Sequence, residues 1–147
     1  MSDPVKIKIL SVEDDEFIRL FIKDVIWIHG ADQNIEFEAV QNTNDAEKKI
    51  NDQMSRPDIL FLDLMLPKED GEKPLLENGL SLLEKVKTNP DMMHIRVLVF
   101  SSVKDADIKE KVVRLGADRY MVKGDYLPTD IITAVKEEIA KLEHPAS

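Results

Sequence analysis

Five times along this chain a short apolar run gives way to an amphipathic stretch of helical period. Parallel strands cannot be joined by a tight turn, so each needs a crossover, and a helix is the usual one. The rhythm predicts an α/β fold: a doubly wound, five-stranded parallel sheet with five flanking helices. No second period or repeat interrupts it. The 147 residues amount to one domain, expected over 1–147 with its core at about 6–142.

The first strand is expected from Lys6 to Val12, running into Glu13, Asp14 and Asp15. The helix after it should bury Phe17, Phe21, Val25 and Ile28 and stop at His29-Gly30. Ile35 to Val40 alternates apolar with acidic residues, the pattern of a half-exposed edge strand. Thr43 or Asn44 is the expected cap of a second helix carrying Ala46, Ile50 and Met54. Ile59 to Leu62 and Val97 to Phe100 are apolar throughout and read as central strands, ending at Asp63 and at Ser101-Ser102. Between them runs a charged surface loop, Pro67 to Asn78, with helix resuming around Gly79 and with Leu80, Leu83 and Val86 on its core side. Ile108, Val112 and Leu115 mark a fourth helix closed by Gly116. Tyr120-Met121-Val122 is a short last strand leading into Lys123. Ile131, Val135, Ile139 and Leu142 mark the last helix, ending at His144-Pro145.

Composition removes several functions. Twenty Lys and Arg against 29 Asp and Glu give a net charge of -9. A nucleic-acid surface needs a clustered basic footprint, so no nucleic-acid partner is expected. Without Cys there is no disulfide framework, thiolate zinc site or cysteine nucleophile. No stretch approaches the roughly 20 apolar residues of a membrane span, and Met1 to Leu10 has no leader pattern. We therefore expect a soluble, cytoplasmic protein with no membrane partner and no residues left over for an effector domain.

Ligands of open parallel sheets bind outside the carboxyl ends of the strands. Here those ends carry Asp14 and Asp15, Asp63, Ser101 and Lys123, drawn from distant parts of the chain. Like charges in one site need a cation or a proton, and a divalent oxygen-loving metal is the natural solution. A hard cation, a free carboxylate, an ammonium and a hydroxyl together supply charge neutralisation, a nucleophile and positioning for phosphoryl transfer to an aspartate. Taken singly, each has a plainer use: an Asp pair as helix cap, Asp63 as a turn residue, Lys123 as surface charge, Ser101 as a strand-end hydroxyl, Tyr120 as a packed aromatic.

Val12-Glu-Asp-Asp15, Asp58-Ile-Leu-Phe-Leu-Asp63-Leu-Met-Leu-Pro67, Val97-Leu-Val-Phe-Ser101-Ser102 and Gly116-Ala-Asp-Arg-Tyr120-Met-Val-Lys123 stand in order at four strand ends. This set resembles the signatures of the receiver domain of two-component response regulators, the CheY-like superfamily, over roughly Ile7 to Leu142. The resemblance implies a flavodoxin-like sheet of order 2-1-3-4-5. It implies that Asp63 accepts a phosphoryl group from a sensor histidine kinase or a phosphotransfer protein, in a Mg2+- or Mn2+-dependent step. Asp15 would be the direct metal ligand, Asp14 the neighbouring acid, and the Met65 backbone carbonyl a further ligand beside Asp63. Lys123 would contact the phosphoryl oxygens, Ser101 would follow them, and Tyr120 would be the aromatic switch. Such a protein is a phosphoacceptor switch and not a conventional enzyme. Its output would pass to a downstream target protein on the face of helix 4, strand 5 and helix 5, near Lys104, Asp107, Lys111 and Arg114; a homodimer through the last helices is a further expectation.

Three features depart from the resembled pattern. Gly79 stands 16 residues after Asp63, about twice the family's spacing, so about eight residues at 68–78 are inserted beside the site. Gly124 replaces the proline that usually follows the lysine by a cis bond, and a cis bond to Gly is far costlier, so a trans bond or a strained cis one is expected. Met65 and Val103 are apolar where polar residues would position a hydrolytic water, which predicts slow self-dephosphorylation. Met65 also counts against a haloacid-dehalogenase-like phosphatase, which needs a second Asp there. The remaining alternative is a receiver-like interaction module that works without phosphorylation.

Overall fold

The computed structural model describes residues 6–143. Five strands, β1 (Ile7–Val12), β2 (Ile35–Val40), β3 (Ile59–Leu62), β4 (Arg96–Ser101) and β5 (Arg119–Val122), alternate with five helices. These are α1 (Glu16–His29), α2 (Thr43–Asn51), α3 (Leu76–Thr88), α4 (Ala106–Arg114) and α5 (Pro128–Glu143). All pairings are parallel and the strand order is β2-β1-β3-β4-β5. This is the flavodoxin-like arrangement expected above. The chain leaves β1 outward to the β2 edge and then returns across β1 to β3, so the reversal of strand order falls between β1 and β3.

The apolar strands β3 and β4 sit inside the sheet because each face of every residue can be covered. Leu60, Leu62, Val97 and Val99 point to one side, with Ala46, Ile50, Leu82, Leu83 and Val86. Ile59, Phe61, Leu98 and Phe100 point to the other, with Ile22, Val25, Ile26, Ile131, Val135 and Ile139. The alternating β2 is the half-exposed edge.

Several local expectations are corrected. On α1 the buried stripe is Ile22, Val25 and Ile26, while Phe17 and Ile28 face solvent. The two stripes differ by a fraction of a turn, and only packing against the sheet and α5 decides between them. The cap of α2 is Asn42, whose side chain accepts from the Asp45 amide, and the helix ends at Asn51, leaving Met54 exposed. Helix α3 begins at Leu76, three residues before Gly79. Gly79 is required there by close approach, since a Cβ would lie 2.2 Å from the Leu64 carbonyl oxygen. The expected end of the last helix at His144-Pro145 lies outside the described residues.

The 68–78 insertion is a tied-down loop that runs into the first turn of α3. Leu66 and Leu75 exchange backbone hydrogen bonds in both directions, closing its base. Asn42 donates to Asp70 at 2.7 Å and Asn44 to Glu69 at 3.2 Å, tying the loop to the start of α2. Asn78, buried, donates to the Leu66 carbonyl at 2.8 Å. The peptide between Lys123 and Gly124 is trans, and Gly124 adopts φ +90°, a conformation in which the family's proline could not sit.

Candidate functional site

The carboxyl ends of β1, β3, β4 and β5 converge as expected. Register does this: Val12 pairs with Leu62, Leu62 with Val99, and Ser101 with Val122, so the residues just past each strand meet at one edge. The Asp63 amide donates to the Val12 carbonyl, and the Lys123 amide to the Ser101 carbonyl, which extends the sheet one step into the site. Asp63 is buried; one oxygen, Oδ1, accepts from the Leu64 amide at 2.8 Å, and the other, Oδ2, lies 3.2 Å from Lys123 Nζ.

The acids from β1 are not the pair expected. Glu13 continues the ladder by donating its amide to the Val40 carbonyl, and its buried carboxylate contacts the Lys123 ammonium. Asp14 follows at the turn. Glu13, Asp14 and Asp63 each bring a carboxylate oxygen within 4.8 Å of the others. Asp15 is excluded from this cluster because it is the N-cap of α1: it is exposed, and its carboxylate turns back to accept from the Ile18 amide at 3.2 Å. With its side chain turned onto its own helix, Asp15 stands away from the strand end, and the acids that lie beside Asp63 are Glu13 and Asp14. The cue was in the sequence: a carboxylate three residues before a helical amide is a cap first.

Arg19 is a second residue that sequence reasoning missed. Its guanidinium donates to the Glu13 carbonyl at 3.0 Å and to the Asp14 carbonyl at 2.9 Å, fixing the turn that presents both acids. Being one helical turn inside α1, it carried no signal of its own.

Burial, then hydrogen bonding and repulsion from Asp63, push the Glu13 carboxyl up to about 9. Asp14 is raised too, by burial and by the Asp63 charge. Burial alone would lower Lys123; the charges of Asp63 and Glu13 outweigh it and raise the ammonium. Neither oxygen of Glu13 receives a hydrogen bond of regular geometry. A buried carboxylate so placed, among two others, is the donor set a hard divalent cation takes.

Ser101 is fully buried, and its hydroxyl accepts from the Val103 amide at 3.2 Å. Tyr120 lies partly buried against the core, donating to the Val103 carbonyl at 2.6 Å, with Lys109 Nζ 5.5 Å from its ring centre. The aromatic thus stands already turned toward the β4–α4 loop. Met65 is exposed beside Asp63, and Val103 is half-buried.

Fold and site together define a doubly wound α/β protein with an acidic, lysine-capped pocket at the topological switch point. The chain belongs to the response regulator receiver domain family, whose model matches residues 9–136. It is 26% identical over 124 residues to a probable chemotaxis protein CheY of Rhizobium etli, spanning 84% of this chain and 85% of that one. A protein-glutamate methylesterase/protein-glutamine glutaminase of Methanospirillum hungatei is 29% identical over 118 residues, which are 80% of this chain and only 31% of that protein. Among solved structures, the Mn2+-bound form of response regulator Rcp1 superposes with TM-score 0.73 at 23% identity, covering 95% of this chain and 96% of that one. The phosphorylated cyanobacterial phytochrome response regulator RcpA gives 0.74 at 24%, covering 97% and 98%. At such identities the structures speak for the fold.

Proposed function

We propose that the chain is a phosphoacceptor switch in which Asp63 takes a phosphoryl group from a phosphohistidine of a sensor kinase or phosphotransfer protein. The observation that carries this reading is the placement of Asp63 Oδ2 3.2 Å from Lys123 Nζ, with Glu13 and Asp14 on one side and buried Ser101 at the neighbouring strand end. An Asp63 carboxylate oxygen attacks phosphorus, the phosphorus–nitrogen bond breaks, and the departing imidazole nitrogen keeps its electron pair and takes a proton. Lys123 faces the incoming oxygens with a fixed positive charge, and the Ser101 hydroxyl stands ready to hydrogen-bond one of them.

Glu13, Asp14 and Asp63, with the Met65 backbone carbonyl, would hold Mg2+ or Mn2+, which when bound neutralises the negative charge that gathers around the phosphoryl group. The products are an aspartyl phosphate and a free histidine, so the chain turns over only its own phosphorylation state. Occupancy of the site draws Ser101 toward the phosphoryl group and stabilises the inward Tyr120, biasing a two-state equilibrium. The output face is α4-β5-α5, where Lys104, Asp107, Lys111 and Arg114 are exposed to a target protein. Among the described residues no helix is long and apolar enough to cross a membrane, and a cytoplasmic kinase domain is the expected donor. Lys123→Ala tests the reading: uptake from acetyl phosphate falls by about tenfold or more, a loss typical of one charged transition-state contact. Unchanged uptake would contradict it.

A further inference from the structure

The loop after Asp63 alternates in burial. Leu64 and Leu66 are sunk in the core, while Met65 between them is exposed, so packing holds the flanking side chains and hydrogen bonds must hold the peptides. For the peptide joining Met65 to Leu66 the bond comes from the end of the insertion, where the chain returns to start α3. The Leu66 amide donates to the Leu75 carbonyl at 3.4 Å. A trans peptide sets its N–H and its C=O on opposite sides, and among the described residues no peptide is cis. The Met65 carbonyl shares this peptide with the Leu66 amide and is therefore turned away from Leu75. Among the described residues no donor reaches it.

The next peptide is gripped twice. The Leu66 carbonyl accepts from the Leu75 amide at 3.0 Å and from the buried Asn78 side chain at 2.8 Å. Asn78 also donates its own amide to the Leu75 carbonyl at 3.2 Å, which ties the two arms of the clamp to each other. On the other flank Gly79 lies against the Leu64 carbonyl, too close for any side chain. A carbonyl without a protein donor, between two pinned neighbours, is an oxygen ligand set in advance. Mg2+, which demands near-ideal octahedral geometry, gains most from such a ligand.

We propose that Asn78 is a positioning residue for the metal: it holds the returning end of the insertion on Leu66 and so fixes the direction of the Met65 carbonyl. The inference rests on the reading of that carbonyl as a ligand beside Glu13, Asp14 and Asp63. It places the role of the 68–78 segment at its base and not at its tip. The tip, where Asp70 meets Asn42, is free to change, whereas the end from Leu75 to Asn78 is not.

Titration calorimetry of the full chain with Mg2+ and, separately, with Ca2+, in the absence of any phosphodonor, tests this. Asn78→Ala removes the donor, and Asn78→Leu removes it while filling nearly the same volume, so that loss of packing and loss of the bond are told apart. Both variants bind Mg2+ about tenfold or more weakly than wild type, the usual consequence of losing a group that orients a ligand. Ca2+, which accepts irregular coordination, changes by no more than about threefold. Asp70→Ala, which opens only the tip, leaves both affinities within a factor of about two. Circular dichroism controls for folding. A purely structural Asn78 would lower the melting temperature and leave the ratio of the two affinities as in wild type; that result, or unchanged Mg2+ binding in the folded variants, overturns the proposal. Wild type that fails to bind Mg2+ would instead overturn the reading of the site on which the proposal rests.

Discussion

Glu13 and Asp15 stand two positions apart and have unrelated roles. One continues the β1 ladder into the acidic cluster; the other closes the first turn of α1. Glu13→Ala is accordingly expected to weaken Mn2+ binding by about tenfold or more, measured by titration calorimetry. Asp15→Ala should leave that affinity within a factor of about two and lower stability by about 1 kcal/mol, the value of a lost N-cap. The reverse pattern would return Asp15 to the metal. Arg19→Ala frees both carbonyls at the turn and should lower metal affinity without touching a ligand. At Met65 and Val103 no polar group is at hand to orient a water against the aspartyl phosphate. Decay should therefore be slow, and Met65→Asn should speed it by about tenfold; equal rates would remove these positions from the account. The positions of Asp63, Ser101 and Lys123 were legible in the sequence because each ends or follows an apolar strand, and strand ends can be counted; Tyr120, inside β5, stood out only through the family resemblance. Glu13 against Asp15 was not legible, since that choice turns on whether one carboxylate caps a helix.

At the scale of elements, strands were easier to read than helix faces. β3 and β4 announce themselves by unbroken apolarity, whereas α1 has apolar residues nearly all round and reveals its buried face only when packed on the sheet and α5. The insertion was legible as extra length, but its attachment to α2 was not, because Asn42–Asp70 is a contact across distant sequence. Asp70→Ala should cost about 1 kcal/mol by losing that hydrogen bond, with phosphoryl uptake unchanged. The strand starts opposite the site are tied by Glu138, fully buried on α5, which accepts from Arg96 and Arg119 at 2.7 Å each and from Lys141 at 3.1 Å. Burial alone would raise this carboxyl, but its three cationic donors hold it below its ordinary 4.5. A carboxyl depressed by folding stabilises the fold fully above its unfolded value and loses that contribution as pH falls through the folded one. Thermal stability should thus drop below about pH 4.5 more steeply in wild type than in Glu138→Gln. At neutral pH that variant should be less stable by about 2 kcal/mol, because Arg96 and Arg119 lose the buried carboxylate they share and keep only Asp118 and Glu137 respectively.

For the molecule as a whole, the parallel sheet brings five polar groups together at one edge and leaves the opposite edge to Glu138, Asp118 and Lys87 as a purely structural knot. Chemistry and cohesion therefore occupy opposite ends of the strands, so changes at one end should leave the other intact. The fold class could be read from sequence rhythm alone, while the strand order came only through resemblance to a family, because apolar runs carry no record of which neighbours they pair with. The central claim is that Asp63 is the atom donor for a new bond to phosphorus. Intact mass after incubation with Mg2+ and acetyl phosphate tests it directly, with wild type beside Asp63→Asn. A gain of one phosphoryl group that requires Mg2+ and is absent from the variant is the expected result. No gain in either protein, with the fold intact, would contradict the account and leave a receiver-like interaction module that works without phosphorylation.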